Sequence, residues 1–298
     1  MTIEIKNRIA IIFAWLSLCV IWGSTWLVIK IGLQDLPPLT YAGLRFLISA
    51  SILIAIIFLR GMSLPRARNE WQLLVVVGVL GVAVNYGLLF WGEQHISSGL
   101  ASLLHATIPL IGMGFAHRLL PSERITWPKL MGVILGLAGL TLIFINQVQL
   151  KSALAPIATF GILLGGAAIA YCNVLIKVHG QSINTFVLAA GQMSFGFPIL
   201  LGLGLATEGN PLRFTWTPLA WFCLLYLALV GSCAGFLLYF WLIKKIAVTK
   251  SMLIMLVTPL LAVSLGAAVN NEEVNWRIVV GGMFIIAGVG MNFLLKKD

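Results

Sequence analysis

Ten stretches of the chain are apolar with scarcely a charge among them. They run Ile9–Ile31, Thr40–Leu59, Leu73–Trp91, Gly99–His117, Leu130–Asn146, Ala153–Ile176, Thr185–Ala206, Pro218–Leu242, Ser251–Val269 and Ile278–Leu295. Each is close to the ~20 residues a helix needs to cross a bilayer, and about twice what a membrane strand uses. The pattern therefore predicts ten transmembrane helices. Polar residues fall in the short connections, which leave no room for a separate soluble domain.

Composition agrees. Of 298 residues, 60% are hydrophobic and 9% charged, against about 25% charged in soluble domains. A water-soluble globule could not cover that much apolar surface, whereas a bilayer accepts it. The net charge of +10 does not point to nucleic acid, because the basic residues form no aromatic-interleaved patch. They sit in blocks between apolar runs. With the N-terminus in the cytoplasm, the inner segments hold 14 Lys and Arg and the outer loops only Lys151, Arg213 and Arg277. That asymmetry predicts both termini inside. Lys6 and Arg8 before the first run imitate a signal peptide. The run is long enough to span and no A-x-A-like site follows its first part, so a retained first helix is expected. Cys19, Cys172, Cys223 and Cys233 lie in apolar runs without C-x-x-C spacing. They predict packing residues, with no disulfide framework and no metal site.

The chain repeats itself. A shift of 150 pairs Trp71 with Trp221, Gly81 with Gly231, Phe90-Trp91 with Phe240-Trp241, Ile96 with Ile246 and Pro109-Leu110 with Pro259-Leu260. After one deletion, Glu123 pairs with Glu272, Trp127 with Trp276, Gly132 with Gly281 and Ala138-Gly139 with Ala287-Gly288. Each half holds five helices, an odd number, so the second half must insert upside down. The predicted fold is an all-α membrane protein of two inverted five-helix repeats, residues 1–148 and 149–298. Secondary transporters use that architecture to expose a midplane site to each side in turn.

Trp22-Gly23-Ser24-Thr25-Trp26, then Lys30, Leu36-Pro37-Pro38 and Leu44-Arg45-Phe46, resembles the opening of the EamA-type family in the drug/metabolite transporter superfamily. Pro109…Glu123…Gly132…Gly139 and its copy Pro259…Glu272…Gly281…Gly288 resemble that family's twice-repeated unit. The resemblance covers nearly the whole chain. It implies two inverted five-helix halves, a central cavity, and export of amino acids, other metabolites or toxic compounds.

Several residues are candidates for the transport path. Trp22, Trp26 and Lys30 share one face of helix 1, with Ser24 and Thr25 beside them. Lys30 reads either as a ligand contact or as a snorkelling interfacial lysine. Arg45 lies inside helix 2, where a charge is costly and faces a cavity or a partner. It either pairs with Glu93 or Asp35, or receives a substrate carboxylate. Tyr86, Phe90 and Glu93 form a stripe on helix 3 beside Asn85, and Ser98, Ser102, His105 and Pro109 form one on helix 4. His105 is either a packing histidine or a group titrating near neutrality. Asn173, Gln192, Ser232, Tyr239 and Met255 complete the substrate-contact set from helices 6 to 9. Pro109 and Pro259 read as cavity-shaping kinks or hinges. The glycines of helices 5 and 10 read as close packing within the chain or as a homodimer face.

No Asp or Glu lies deep in a span and no phosphate loop or nucleophile motif stands out, so coupling through His105 or Glu93 is expected, with no cofactor and no enzymatic activity. The leading reading is a secondary carrier, an exporter of amphipathic metabolites such as amino acids, in a bacterial cytoplasmic membrane. The alternatives are a multidrug or organic-cation exporter, a channel, and a membrane-embedded enzyme.

Overall fold

A computed structural model describes residues 3–270 and 276–294, and these are helical almost throughout. Glu272 of the repeat, and Lys296 and Lys297 of the charge count, lie outside the described residues. Ten spans follow in order: α1 (Ile3–Gly32), α2 (Pro38–Leu59), α3 (Arg68–Glu93), α4 (Ser98–His105 continued by Ile108–Leu119), α5 (Trp127–Phe144), α6 (Ala155–His179), α7 (Thr185–Thr207), α8 (Pro218–Lys245), α9 (Val248–Met252 continued by Ile254–Asn270) and α10 (Trp276–Leu294). Among the described residues, nine helices are long and apolar enough to cross a membrane, and the apolar part of α9 is shorter. The protein is an all-α membrane protein.

Local chemistry sets the helix ends. Pro38, Pro128, Pro156 and Pro218 stand in first turns, where no amide donor is needed. α2 stops at Gly61, whose positive φ of 59° lets Met62 N–H reach Ile57 O (2.9 Å) and Gly61 N–H reach Phe58 O (3.1 Å). Two carboxylates act as distant N-caps. Glu208, just past α7, accepts from Leu39 N (2.7 Å) and Thr40 N (2.8 Å) at the start of α2. Glu123, between α4 and α5, accepts from Val248 N (2.7 Å) and Thr249 N (3.2 Å) at the start of α9. A carboxylate there satisfies orphan donors and meets the positive end of the helix dipole.

The packing pairs recur between the halves. α2 lies along α7 and α5 along α10; α1 packs on α9 and α8 as α6 packs on α4 and α3. Departures from α-helix recur too: π-helical stretches occupy Val79–Val84 of α3 and Leu227–Ala234 of α8. The prolines do not behave alike. Pro109 opens the second segment of α4, after a break at Ala106–Thr107. Pro259 lies inside a continuous helical segment of α9, whose break falls earlier, at Leu253. The outer surface carries side chains such as Phe13, Phe160 and Trp127, all more than two-thirds exposed, as a lipid-facing wall requires.

Candidate functional site

Spans α1, α2, α3, α4, α6, α8 and α9 surround an inner chamber of about 80 Å³ of free volume. It continues into a wider vestibule of about 660 Å³ that involves the end of the bundle bearing Gln34, Gln94 and Lys151. Trp26, Ile29, Phe90 and Glu93 line both spaces and so form the neck between them. At the other end of the bundle, lysine hydrogen bonds tie α6 and its following loop to α8.

Arg45 is the cation of the chamber. It is 3% exposed and lies about two turns inside α2. Its Nε donates to Ser232 Oγ (3.1 Å), and its guanidinium lies 4.7 Å from the Phe46 ring centroid and 5.3 Å from that of Tyr86. The anticipated carboxylate partners are elsewhere. Asp35 accepts from Thr217 Oγ1 (2.5 Å), and Glu93 stands at the neck beside Lys151. No described carboxylate forms a salt bridge with Arg45, so the ion-pair reading gives way to a hydroxyl and two aromatic faces. Ser49 Oγ braces the site between Arg45 O (2.6 Å) and Ala228 O (2.9 Å).

Apart from Arg45, and Glu93 at the neck, the chamber walls are aromatic and polar. Trp22 donates to Gly231 O (3.1 Å) and packs against Tyr239 (4.9 Å) and Phe236 (5.7 Å). Gly231 sits in the π-helical stretch of α8, a register change that presents carbonyls to neighbouring helices. Asn85 Oδ1, Asn173 Oδ1, Tyr239 OH and His105 Nε2 are buried atoms with no protein hydrogen-bond partner. An unmet polar atom in a low-dielectric setting is costly; of the six such side-chain atoms among the described residues, these four belong to residues lining this one chamber, and Tyr41 OH and Gln192 Nε2 lie outside it. His105 also meets Trp26 edge-on at 6.3 Å.

Of the anticipated contacts, Trp22, Thr25, Trp26, Arg45, Asn85, Tyr86, Phe90, His105, Asn173, Tyr239 and Met255 line the chamber. Lys30 lies in the vestibule with Ser102 and Pro259. Three residues fall outside both spaces. Ser24 bonds Tyr226 OH (2.8 Å) on another face of α1. Gln192 is buried where α7 meets Gly78 of α3, and Ser232 acts through Arg45. Ile29, Leu89, Ile108, Ile169, Phe236 and Thr258 complete the lining. Their signal was helical spacing from a residue already singled out: Ile29 three after Trp26, Ile169 four before Asn173.

The EamA-like transporter family model matches residues 8–145 and again 156–294. The uncharacterized transporter YoaV of Bacillus subtilis is 28% identical over 93% of this chain and 94% of its own length. The uncharacterized inner membrane transporter YedA of Escherichia coli is 30% identical over 93% and 88%. Protein PagO of Salmonella typhimurium is 26% identical over 98% and 95%. A solved crystal structure shares the fold with a TM-score of 0.80 at 17% identity, covering 95% of this chain and 96% of that one. A bundle of apolar helices with a polar-lined chamber, matched along both halves by one transporter model, identifies the chain as a membrane transporter and a member of the EamA-like transporter family.

Proposed function

We propose that the protein exports small zwitterionic metabolites, amino acids with large side chains first among them, by alternating access between two inverted repeats. The observation that carries this is Arg45: a buried guanidinium with no described carboxylate partner, facing a chamber of aromatic walls and unmet amide and phenol atoms. A substrate carboxylate supplies the missing counter-charge, and the planar fork suits two oxygens. The unmet oxygens of Asn85, Asn173 and Tyr239 suit an ammonium or other donor. Trp22, Tyr86, Phe90 and Phe236 suit an apolar body. At about 80 Å³ the chamber is narrow for such a ligand, so the substrate extends through the neck or the walls part on binding.

The basic asymmetry supports a topology with both termini in the cytoplasm of a bacterial cell, in which the vestibule faces outward. Any proton coupling runs through His105 or Glu93, the titratable side chains at the chamber and its neck besides Arg45 and Tyr residues.

Efflux from proteoliposomes tests the substrate class. Vesicles loaded with phenylalanine, threonine, a quaternary ammonium dye or a nucleotide sugar are compared with protein-free vesicles. Phenylalanine is expected to leave fastest. An organic cation also fits aromatic faces, but the fixed charge of Arg45 opposes it. Faster loss of the dye or the nucleotide sugar alone overturns the amino-acid reading.

A further inference from the structure

The end of the bundle opposite the vestibule is held shut by an exchange of lysines. Lys177, near the end of α6, donates to Ile243 O (2.7 Å) and Ile246 O (2.8 Å) at the end of α8. Lys244, at the end of α8, donates to Gln181 O (3.2 Å) and Ile183 O just past α6. Lys177 thus caps the carbonyl end of α8, where a cation is favoured, and Lys244 ties α8 to the loop that follows α6. Glu123, close enough to Lys177 to interact with it, fastens the start of α9 to the same cluster.

The repeat supplies a counterpart for each part. Lys30 stands two residues before the end of α1 at Gly32, as Lys177 stands two before the end of α6 at His179. The register between α1 and α6 is fixed by contacts: Thr25 meets Gly231 where Cys172 meets Gly81, and these glycines are a repeat pair. Thr25 lies five residues before Lys30, and Cys172 five before Lys177. The carbonyls matching Ile243 and Ile246 belong to Glu93 and Ile96, at the end of α3. In this structure Lys30 is exposed in the vestibule and makes no hydrogen bond or ion pair among the described residues, while Lys151 donates to Glu93 O (3.3 Å). The partner of Lys244 is Gln94, which carries no charge and lines the vestibule.

We propose that Lys30 and Lys177 are alternating latch residues: Lys177 pins α6 to α8 while the vestibule is open, and Lys30 pins α1 to α3 through the Glu93 and Ile96 carbonyls when it closes. Lys30 is then a gate rather than a substrate contact, and Gln94 in place of a second lysine makes the outer latch the weaker one. The inference rests on the inverted-repeat reading of Proposed function but not on the substrate.

The reporter is position 252. Met252 is fully buried at the shut end, and its repeat partner Ser102 lines the vestibule. Maleimide labelling of Met252→Cys is followed on purified protein, with the parent protein, whose four cysteines are buried, reporting any unfolding. Loss of two charge-assisted bonds in Lys177→Met is expected to raise the labelling rate about tenfold. Adding Lys30→Met is expected to return it towards the starting rate, because the shut-vestibule state loses its own latch. Lys177→Arg retains donors and keeps labelling low, and it serves as the reference if Lys177→Met raises labelling of the parent. An unchanged rate in Lys177→Met, or faster labelling in Lys177→Arg to the same degree, overturns the inner latch. A gain that Lys30→Met does not reverse overturns the role of Lys30. No ligand is needed, so a failure of the amino-acid assignment, read by efflux, stays separate.

Discussion

The seam between α5 and α10 and the wall of the chamber are both built from helices crossing the same membrane, yet they are made in opposite ways. Along the seam the backbones touch. A Cβ on Gly139 would strike Gly281 O, and one on Gly288 would strike Gly132 O. Asn292 Nδ2 adds bonds to Gly288 O (3.1 Å) and Lys129 O (3.4 Å). Gly132, Gly139, Gly281 and Gly288 face one another across the seam within the chain, which is how helices associate where lipid offers no hydrophobic drive. Around the chamber the helices are interrupted instead. The π-helical stretches of α3 and α8 and the breaks in α4 and α9 all fall in spans that line it. Irregular backbone at membrane depth persists where neighbours or a cavity satisfy it. The seam is a scaffold fixed by sterics, and the chamber wall is a set of segments with polar atoms left for a ligand and carbonyls left for a latch.

The comparison can be broken most severely at the seam. Gly139→Leu is expected to prevent assembly of the folded protein, because the obstruction is backbone and not a side chain that can rotate away. Its cost should exceed the ~1–3 kcal/mol of ordinary overpacking. Gly114→Ala, with open space around its added carbon, should be neutral or slightly stabilising. Yield of monodisperse protein and melting temperature decide it, and equal behaviour of the two variants would contradict the scaffold reading.

At the chamber the expected loss is of function with the fold intact. Arg45→Ala should abolish efflux and Arg45→Lys should restore part of it at best, since an ammonium cannot present the planar fork. Wild-type efflux from Arg45→Ala makes the residue a bystander. Sidedness sharpens the picture further. An impermeant thiol reagent added outside cells should reach Lys151→Cys and Arg213→Cys but not Arg66→Cys or Lys244→Cys. External labelling of the last two removes the inverted arrangement.

Smaller effects separate the coupling and capping roles. If efflux depends on pH, that dependence should disappear in His105→Gln or Glu93→Gln, and steep proton coupling that survives the loss of both places the coupling group elsewhere. Glu208→Ala removes the N-cap of α2 and should cost about 1 kcal/mol, read as a lower melting temperature with efflux per folded molecule unchanged. A drop in turnover without a change in melting temperature would assign Glu208 to the moving parts.

The spans were legible because each is a near-unbroken apolar run; their ends moved by a few residues, outward where an amphipathic turn extends the helix, as at Arg68-Asn69-Glu70 in the first turn of α3, and inward at Phe144 of α5 and Ala155 of α6. Helix periodicity from Trp22 and Tyr86, together with polar residues inside spans such as Asn173, found most of the chamber. It could not find the partner of Arg45, because Ser232 is distant in sequence and hydroxyls are common in membrane helices. The distant caps were equally hidden: Glu123 and Glu208 read as loop charges until their targets are brought beside them. Ser24 and Gln192 show the opposite failing. Polar residues in a span bond wherever a partner lies, and Tyr226 claims Ser24 outside the cavity. The differing behaviour of Pro109 and Pro259 followed from where each helix breaks, which a proline alone does not dictate.

The central claim is that Arg45 receives a carboxylate in the chamber. Calorimetric titration of the purified protein with phenylalanine and with phenylalanine methyl ester, in wild type and in Arg45→Ala, tests it directly. The account predicts that wild type binds the acid at least tenfold more tightly than the ester, and that Arg45→Ala loses this preference, as removal of a charge-assisted pair implies. Equal binding of acid and ester by wild type, or an undiminished preference in Arg45→Ala, would contradict it.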